Sequence, residues 1–400
     1  MDAVQVCQEI KNGLEAADIA YGDPSNSGYL WRISPEYFLL TEKQWLGVKA
    51  AVNAFVDFYL AIEKPTEPWH FRLDATISRQ YKPVITEWNM VPVGEAGVAI
   101  NRGLYSSLAP MPDDCYSNPF LGNLTTLAKA LKWYGANAKI ALIIPENRRK
   151  YTRDYLKTAA MLQALGVNIA VENNLESVDM ILRIFSKEAL FKPDILPGGE
   201  EIFSALEQGK VKIFPRFSSL ESKESMAWVF DPSLNAGALE TAERLRQFVP
   251  WTWPTDPSQT PGRGCQTLSW WKYFMGQEMK RAGFLLKPCE SFGGRGIVFN
   301  QEVEMKSWRE ALGSALTAWP EEKTIVQERV HLQEFSAAYL DGQISKSGGW
   351  KVRLCITGAW LPEEGWQIGD VDATLCQTPL VHQQKDSIFV PVLVRKGKKT

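Results

Sequence analysis

The chain has 400 residues, more than one small hydrophobic core accommodates, so two or three domains or subdomains are expected. Hydrophobic residues are 45% and charged residues 22%, ordinary for a soluble globular protein. A formal net charge of −2 gives no broad basic face and argues against nucleic acid as a partner.

The first strong pattern is TEKQWLGVKAAVNAFVDFYLAI, residues 41–62, which predicts a helix. Thr41 and Gln44 have the spacing of a capping box. Trp45, Val48, Val52, Phe55 and Tyr59 form one apolar stripe, and Pro65 and Pro68 end it. Residues 69–90 predict two strands around a turn, because WHFRLDATI and YKPVITEWNM both alternate with a period of two. A helix is expected over 123–134. KIALIIP then reads as a short apolar strand, RDYLKTAAMLQAL as an amphipathic helix stopped by Gly166, and VNIAVE as a second strand. With further strands in VDMILRIF and GKVKIFPRF, roughly 120–220 is expected to form a small Rossmann-like α/β domain with a parallel sheet. Its first turn reads PENRRK rather than GxGxxG, which argues against a dinucleotide site. Residues 250–264 carry four prolines and two glycines and are expected to be a loop or a crossing between domains. FLLK and IVFN predict strands on either side of a glycine loop, SWREALGSALTAW a helix and TIVQERV a strand. WKVRLCITGAWL predicts an alternating strand with a turn at Gly358, and the last 40 residues match no usable pattern.

The six cysteines, Cys7, Cys115, Cys265, Cys289, Cys355 and Cys376, include no CxxC pair. There is no charged-then-apolar leader and no apolar run of membrane-spanning length. Together these features predict a cytoplasmic protein with reduced thiols and no membrane partner. The three histidines, His70, His331 and His382, are too scattered to suggest a histidine metal site. The basic tail of Arg395, Lys396, Lys398 and Lys399 reads as a solvated terminus.

Chemistry concentrates in two places. GFLLKPCESFGGRGIVFN, residues 283–300, sets Lys287 before a glycine loop and a β-branched, aromatic run after it. A Walker loop needs its lysine after the glycines and opens into a helix, so strand–loop–strand is the better expectation. Backbone N–H groups of such a loop can close over phosphates, with Lys287 as a point charge. A bulged hairpin with a surface lysine is the plain alternative. In the second place, Arg72, Asp74, Glu87 and Asn89 share one face if the strands of 69–90 pair, since residues two apart point the same way. Two carboxylates and an amide oxygen suit Mg2+ that also binds phosphates, and an arginine beside them suits a phosphoryl group or carboxylate. A solvated strand face with a salt bridge is the plain alternative. His70 is expected on the same face as Arg72. Trp69, Trp88, Trp251, Trp253, Trp270 and Trp271 belong either to an acceptor pocket or to cores.

A glycine loop with its lysine and a carboxylate–amide cluster together describe a nucleoside-triphosphate site. On these motifs the chain resembles the ATP-grasp proteins, more narrowly the circularly permuted type that includes glutathionylspermidine synthase-like proteins. The lysine and glycine loop come first in ordinary ATP-grasp enzymes; here RLD and EWN, at 72–89, precede LLKPCESFGGRGIVF. NMVPVGEAG is similar to the N-x-x-P-x-G loop after the metal asparagine.

The resemblance implies an α/β (α+β) ATP-grasp fold in circularly permuted order with a Rossmann-like pre-ATP-grasp domain. It divides the chain into a permuted metal-binding lobe at 1–120, the pre-grasp domain at 121–222, and a lobe with lid and adenine hinge at 223–400. It implies ATP and Mg2+ as cofactors. Lys287 would bind phosphates beneath a lid containing Ser291, Gly293, Gly294, Arg295 and Gly296, and Lys223 would be a second basic residue on ATP. The backbone near Gln327, Glu328 and Val330 would meet adenine; Asp74, Glu87 and Asn89 would hold magnesium; Arg72 and Arg353 would be active-site arginines. Arg295 stands where many relatives have lysine, which keeps the charge. Cys289 is expected to be buried or to line the loop, and no general base is evident. The implied reaction joins a small-molecule carboxylate to an amine through an acyl phosphate. A phosphotransferase on the same fold, a non-catalytic ATP-binding scaffold and an interaction protein without nucleotide are the rival readings.

Overall fold

In the computed structural model the described residues are 1–17, 31–116, 120–135, 137–172, 176–258, 283–289, 296–378 and 387–397. Helix α1 (Ala3–Ala16) starts at Asp2, whose side chain accepts from Gln5 N at 2.9 Å. Strand β1 (Phe38–Leu40) leads into α2 (Glu42–Glu63). Thr41 and Gln44 form the expected capping box, and Lys64 ends α2 in the left-handed conformation just before Pro65. β2 (Trp69–Ile77), β3 (Pro83–Asn89), α3 (Glu95–Leu108) and α4 (Asn123–Trp133) follow. The middle of the chain alternates β4 (Ile140–Ile143), α5 (Thr152–Ala164), β5 (Ile169–Val171), β6 (Met180–Arg183), α6 (Gly199–Glu207) and β7 (Lys212–Phe214). Next come α7 (Ser225–Trp228), α8 (Ala236–Leu245), β8 (Thr252–Pro254), β9 (Phe284–Pro288), β10 (Val298–Phe299), α9 (Met305–Ala318) and β11 (Thr324–Glu328). The chain returns through β12 (Glu334–Asp341), β13 (Gln343–Leu361), β14 (Gly365–Cys376) and β15 (Ile388–Val394).

Among the described residues these strands form three sheets. The largest has seven strands in the order β1-β15-β14-β13-β2-β3, with β12 also on β13. The 19 residues of β13 make this possible: its first half pairs with β12 and its second half with β2. One face of this sheet is apolar. Phe71, Leu73, Leu354, Ile356, Val371 and Ala373 bury it against Val48, Val52 and Phe55 of α2. The period of two then sends His70, Arg72, Asp74, Arg353, Cys355, Asp370 and Asp372 to the other face. A second sheet, β5-β4-β6-β7, has four strands and is parallel throughout. A third, antiparallel, runs β10-β9-β11-β8, with Trp308 and Leu312 of α9 packed on it.

Three expectations are corrected. Gly358 makes no turn: β13 runs straight through it, with a register shift between Thr357 and Gly358. A Cβ at 358 would lie 2.4 Å from Gln367 O and 2.5 Å from the Phe71 ring, so glycine serves close strand approach there. The proline-rich stretch after residue 250 contains β8, an edge strand, which is where a sheet tolerates Pro254. Finally, α2 is long and apolar enough to cross a membrane, with a mean hydropathy of 1.3 over its most apolar window. Here Val48, Val52, Phe55, Phe58 and Tyr59 are buried in the core shared with the large sheet, while Leu46 is exposed.

Candidate active site

β2 and β3 pair so that Arg72 faces Asn89 and Asp74 faces Glu87. The register shifts just past Asp74, leaving Thr86 unmatched between Glu87 and Ile85. Such a bulge re-aims backbone groups. Thr86 Oγ1 donates to Asp74 O at 3.1 Å, and Thr86 O accepts from Lys287 Nζ at 3.2 Å.

Lys287, on β9, lies 3.0 Å from Glu87 Oε2, and Lys223 Nζ lies 3.6 Å from Glu87 Oε1. Lys223 also donates to Cys289 O at 3.1 Å. Two anchors fix the segment carrying Lys223. Trp88 Nε1 donates to Leu220 O and Ser225 Oγ, each at 2.9 Å. Glu221 pairs with Arg183 at the end of β6, a fully buried guanidinium that also donates to the carbonyls of Phe185, Pro215 and Arg216. Burial works against ionisation of Glu87, but Lys287 and then Lys223 outweigh it and hold the carboxyl at about 2.

Asp74 sits between two arginines. Arg72 Nη2 donates to Asp74 Oδ2 at 3.4 Å, and Arg353 Nη1, reaching over from β13, is 3.7 Å from the same oxygen. Arg72 Nε is 3.3 Å from Asp74 Oδ1 but out of line for a hydrogen bond, so that oxygen is buried without one, as is the amide nitrogen of Asn89. Burial opposes the charge on Arg72; Asp74 foremost outweighs it and its pKa is pushed up. Among the described residues no group of three or more His, Cys, Asp or Glu side chains is placed to hold a metal ion. The oxygen set here is two carboxylates and the amide oxygen of Asn89, and the Asp74 oxygen left without a hydrogen bond fits a hard cation that keeps waters and phosphate oxygens as its other ligands.

Of the lid residues, Gly296 has φ +75° and a Cβ there would meet Pro288 Cγ at 3.0 Å, so glycine is required. Ser291, Gly293, Gly294 and Arg295 lie outside the described residues, as do Trp270 and Trp271. The Gln327 side chain turns inward, donating to Thr252 Oγ1 at 3.1 Å, and Glu328 N donates to Trp251 O at 2.7 Å. Glu328 is exposed and Val330 beside it is half-buried. Cys289 is buried, and Trp69, Trp88 and Trp253 are core residues.

The polar face extends beyond what the motifs marked. His70 Nε2 lies 3.6 Å from Glu95 Oε1, and Asn123 Nδ2 donates to Glu95 Oε2 at 2.7 Å. Burial, helped by Arg72, pushes His70 down to about 3; burial, partly offset by Asn123, pushes Glu95 up to about 7. Asp370 and Asp372 of β14 face Thr357 and Cys355 across the strand gap. Arg102 Nε donates to Asp370 Oδ2 at 2.7 Å, whereas both carboxylate oxygens of Asp372 are buried without a hydrogen-bond partner. Burial raises the pKa of both acids, and Asp370 raises that of Asp372 further. The spacing in GDVDAT is the one that singled out Arg72 and Asp74, and it was the available signal. A small crevice beside Glu95 opens at the carboxyl ends of β4 and β6, lined also by Tyr155 and Thr158 of α5. Those two strands flank the point where the parallel sheet reverses its strand order, the usual ligand position in such sheets.

No protein-family model matches the chain, and no curated protein matches its sequence. Its fold is shared with a solved structure, a glutathione synthetase-like effector from Globodera pallida in its apo form. The TM-score is 0.60 over 98% of this chain and 97% of that one, at 12% identity. The likeness is one of fold.

Proposed function

We propose that this chain is an ATP-dependent carboxylate–amine ligase, built on an ATP-grasp fold in permuted order with a Rossmann-like pre-grasp domain around its parallel sheet. One observation carries this reading: Lys287 and Lys223, from separate parts of the chain, converge on Glu87 beside Asp74 and Asn89. Buried ammonium groups next to a set of hard oxygen ligands suit the phosphates of a metal-bound nucleotide. The shared fold with a glutathione synthetase-like effector supports the same reading.

In the reaction, a substrate carboxylate oxygen bonds to the γ-phosphorus of ATP and the bond to the β–γ bridging oxygen breaks, releasing ADP. The amine then attacks the acyl carbon, loses a proton, and expels phosphate to leave an amide. Lys287 and Lys223 bind the phosphates, and Arg72 and Arg353 orient the carboxylate and the transferring group. Asp74, Glu87 and Asn89 would hold magnesium, which when bound neutralises charge on the phosphates. The residues around Gly296 keep water from the acyl phosphate. The protein contributes mainly position and charge.

The deciding experiment is an ADP-release screen over pairs of small carboxylates and amines, with mass detection of the joined product. ADP release that needs both partners, and that Lys287→Ala abolishes, is the expected result. A phosphorylated acceptor with no amide would replace the ligase by a phosphotransferase. Tight MgATP binding without ADP release on any pair would leave a nucleotide-binding scaffold.

A further inference from the structure

A primary amine is an ammonium ion at neutral pH and must lose a proton before its nitrogen can attack. The lysines and arginines of the phosphate face carry protons rather than accept them. Glu95, the first residue of α3, is a carboxyl that the reaction as described leaves unused. Asn123 Nδ2 donates to Glu95 O at 2.8 Å and to Glu95 Oε2 at 2.7 Å. Side chains of α5 pin the start of the helix: Gly97 N donates to Asp154 Oδ1 at 2.9 Å, and Ala96 N to Thr158 Oγ1 at 3.2 Å. With one carboxyl oxygen fixed in this way, the other, Oε1, is buried without a hydrogen bond, and so is the hydroxyl of Tyr155. Glu95 and Tyr155 are each 2% exposed. Both line the small crevice at the carboxyl ends of β4 and β6, whose other walls include Leu142, Leu182 and Ile184. Two unpaired acceptors on one opening suit an amino group, which brings N–H donors to both; an anion would meet the Glu95 carboxyl instead.

We propose that Glu95 takes the proton of the amine substrate, whose nitrogen it receives together with Tyr155 in this crevice; the inference rests on the ligase reading. The ammonium gives one proton to the Glu95 carboxylate. The freed lone pair bonds to the acyl carbon, and the bond from that carbon to the phosphate oxygen breaks. The second proton leaves the nitrogen with the departing phosphate, and Glu95 returns its own to water. The groups around Glu95 suit it to this task. Burial lifts its carboxyl to about 7, Asn123 and Arg72 pull it down, and Asp154 and Asp370 push it up. A base that titrates near the working pH is well matched to proton transfer. His70 Nε2 lies 3.6 Å from Oε1, but burial and Arg72 keep His70 neutral down to about 3, so it is a poor base. Burial raises the Tyr155 phenol while Arg148 and Arg72 pull it back, so it stays an OH whose oxygen accepts from an N–H.

Two measurements on the full chain test this. The first is infrared difference spectroscopy just below pH 7, with methylammonium chloride as probe. Wild type should lose the protonated-carboxyl band that Glu95→Gln deletes, and tetramethylammonium, which has no N–H, should leave it in place. A band indifferent to methylammonium overturns the inference. The second compares hydroxylamine, largely neutral at neutral pH, with the best primary amine of the ADP-release screen. Glu95→Gln should slow amide formation with the primary amine on the order of a hundred- to ten-thousandfold, with the loss shrinking as pH rises. Hydroxylamine should lose less than about tenfold, because it needs no base to expose its lone pair. Equal losses with both amines, or no loss, overturn the role. If no pair releases ADP, the ligase reading falls, and the infrared measurement still decides whether Glu95 takes an amine. If Glu95→Gln does not fold, wild-type spectra decide: no difference between methylammonium and tetramethylammonium overturns the inference.

Discussion

Replacing His70 by asparagine should cost less stability at acid pH than at neutral pH. Folded His70 titrates at about 3 against an ordinary 6.5, because burial and Arg72 both disfavour its charged form. The unfolded chain therefore binds the proton first as pH falls. The wild-type benefit of a neutral His70 is complete above 6.5 and is lost as pH falls through 3. Each pH unit in that window is worth roughly 1.4 kcal/mol, so the interval from 6.5 to 4.5 carries about 3 kcal/mol. Glu95 acts with the opposite sign. Its folded pKa of about 7 exceeds 4.5, so its contribution is present below 4.5 and is lost as pH rises through 7. Over the shared interval the two slopes offset one another in wild type, whereas in His70→Asn only the Glu95 slope remains. Urea unfolding followed by tryptophan fluorescence, repeated between pH 7 and pH 4.5, gives the comparison. The stability gap between wild type and His70→Asn should narrow by about 3 kcal/mol toward acid. A gap that stays constant, or widens, would mean that His70 is protonated and paired with ionised Glu95, and the neutral-pair argument would be wrong.

Other expectations are more direct. Lys287→Ala should weaken MgATP binding roughly ten- to a hundredfold, the scale of one contact to a charged group, with calorimetry as the check; unchanged affinity would remove Lys287 from the site. Arg183→Ala strands Glu221 and three carbonyl oxygens and should destabilise the fold by about 3–5 kcal/mol, visible as a fall in Tm; a loss below about 1 kcal/mol would contradict the buried pairing. Gly358→Ala must push against Gln367 O and the Phe71 ring and should cost about 1–3 kcal/mol in thermal unfolding, and a wild-type Tm would refute the close strand approach.

Local rules made part of this molecule legible in its sequence. The capping box of Thr41 and Gln44 and the stripe of α2 depend only on neighbours along one helix, and both are found. The period of two grouped Arg72 with Asp74 and Glu87 with Asn89 before any partner strand was known, since side-chain direction in a strand is set by parity alone. The same parity applied to GDVDAT marks Asp370 and Asp372, but composition gives no hint that both are removed from water, with α4 packed on their strand and Arg102 of α3 closing on Asp370. Gly358 read as a turn because glycine's demand there comes from Phe71 and Gln367, on two other strands. Only the tertiary structure put β2 and β3 in one sheet with β12–β15, brought Lys223 and Lys287 to a common carboxylate, and closed His70 on Glu95. Each of those depends on which strand pairs with which, and pairing is settled by the burial of whole faces rather than by any short stretch of chain.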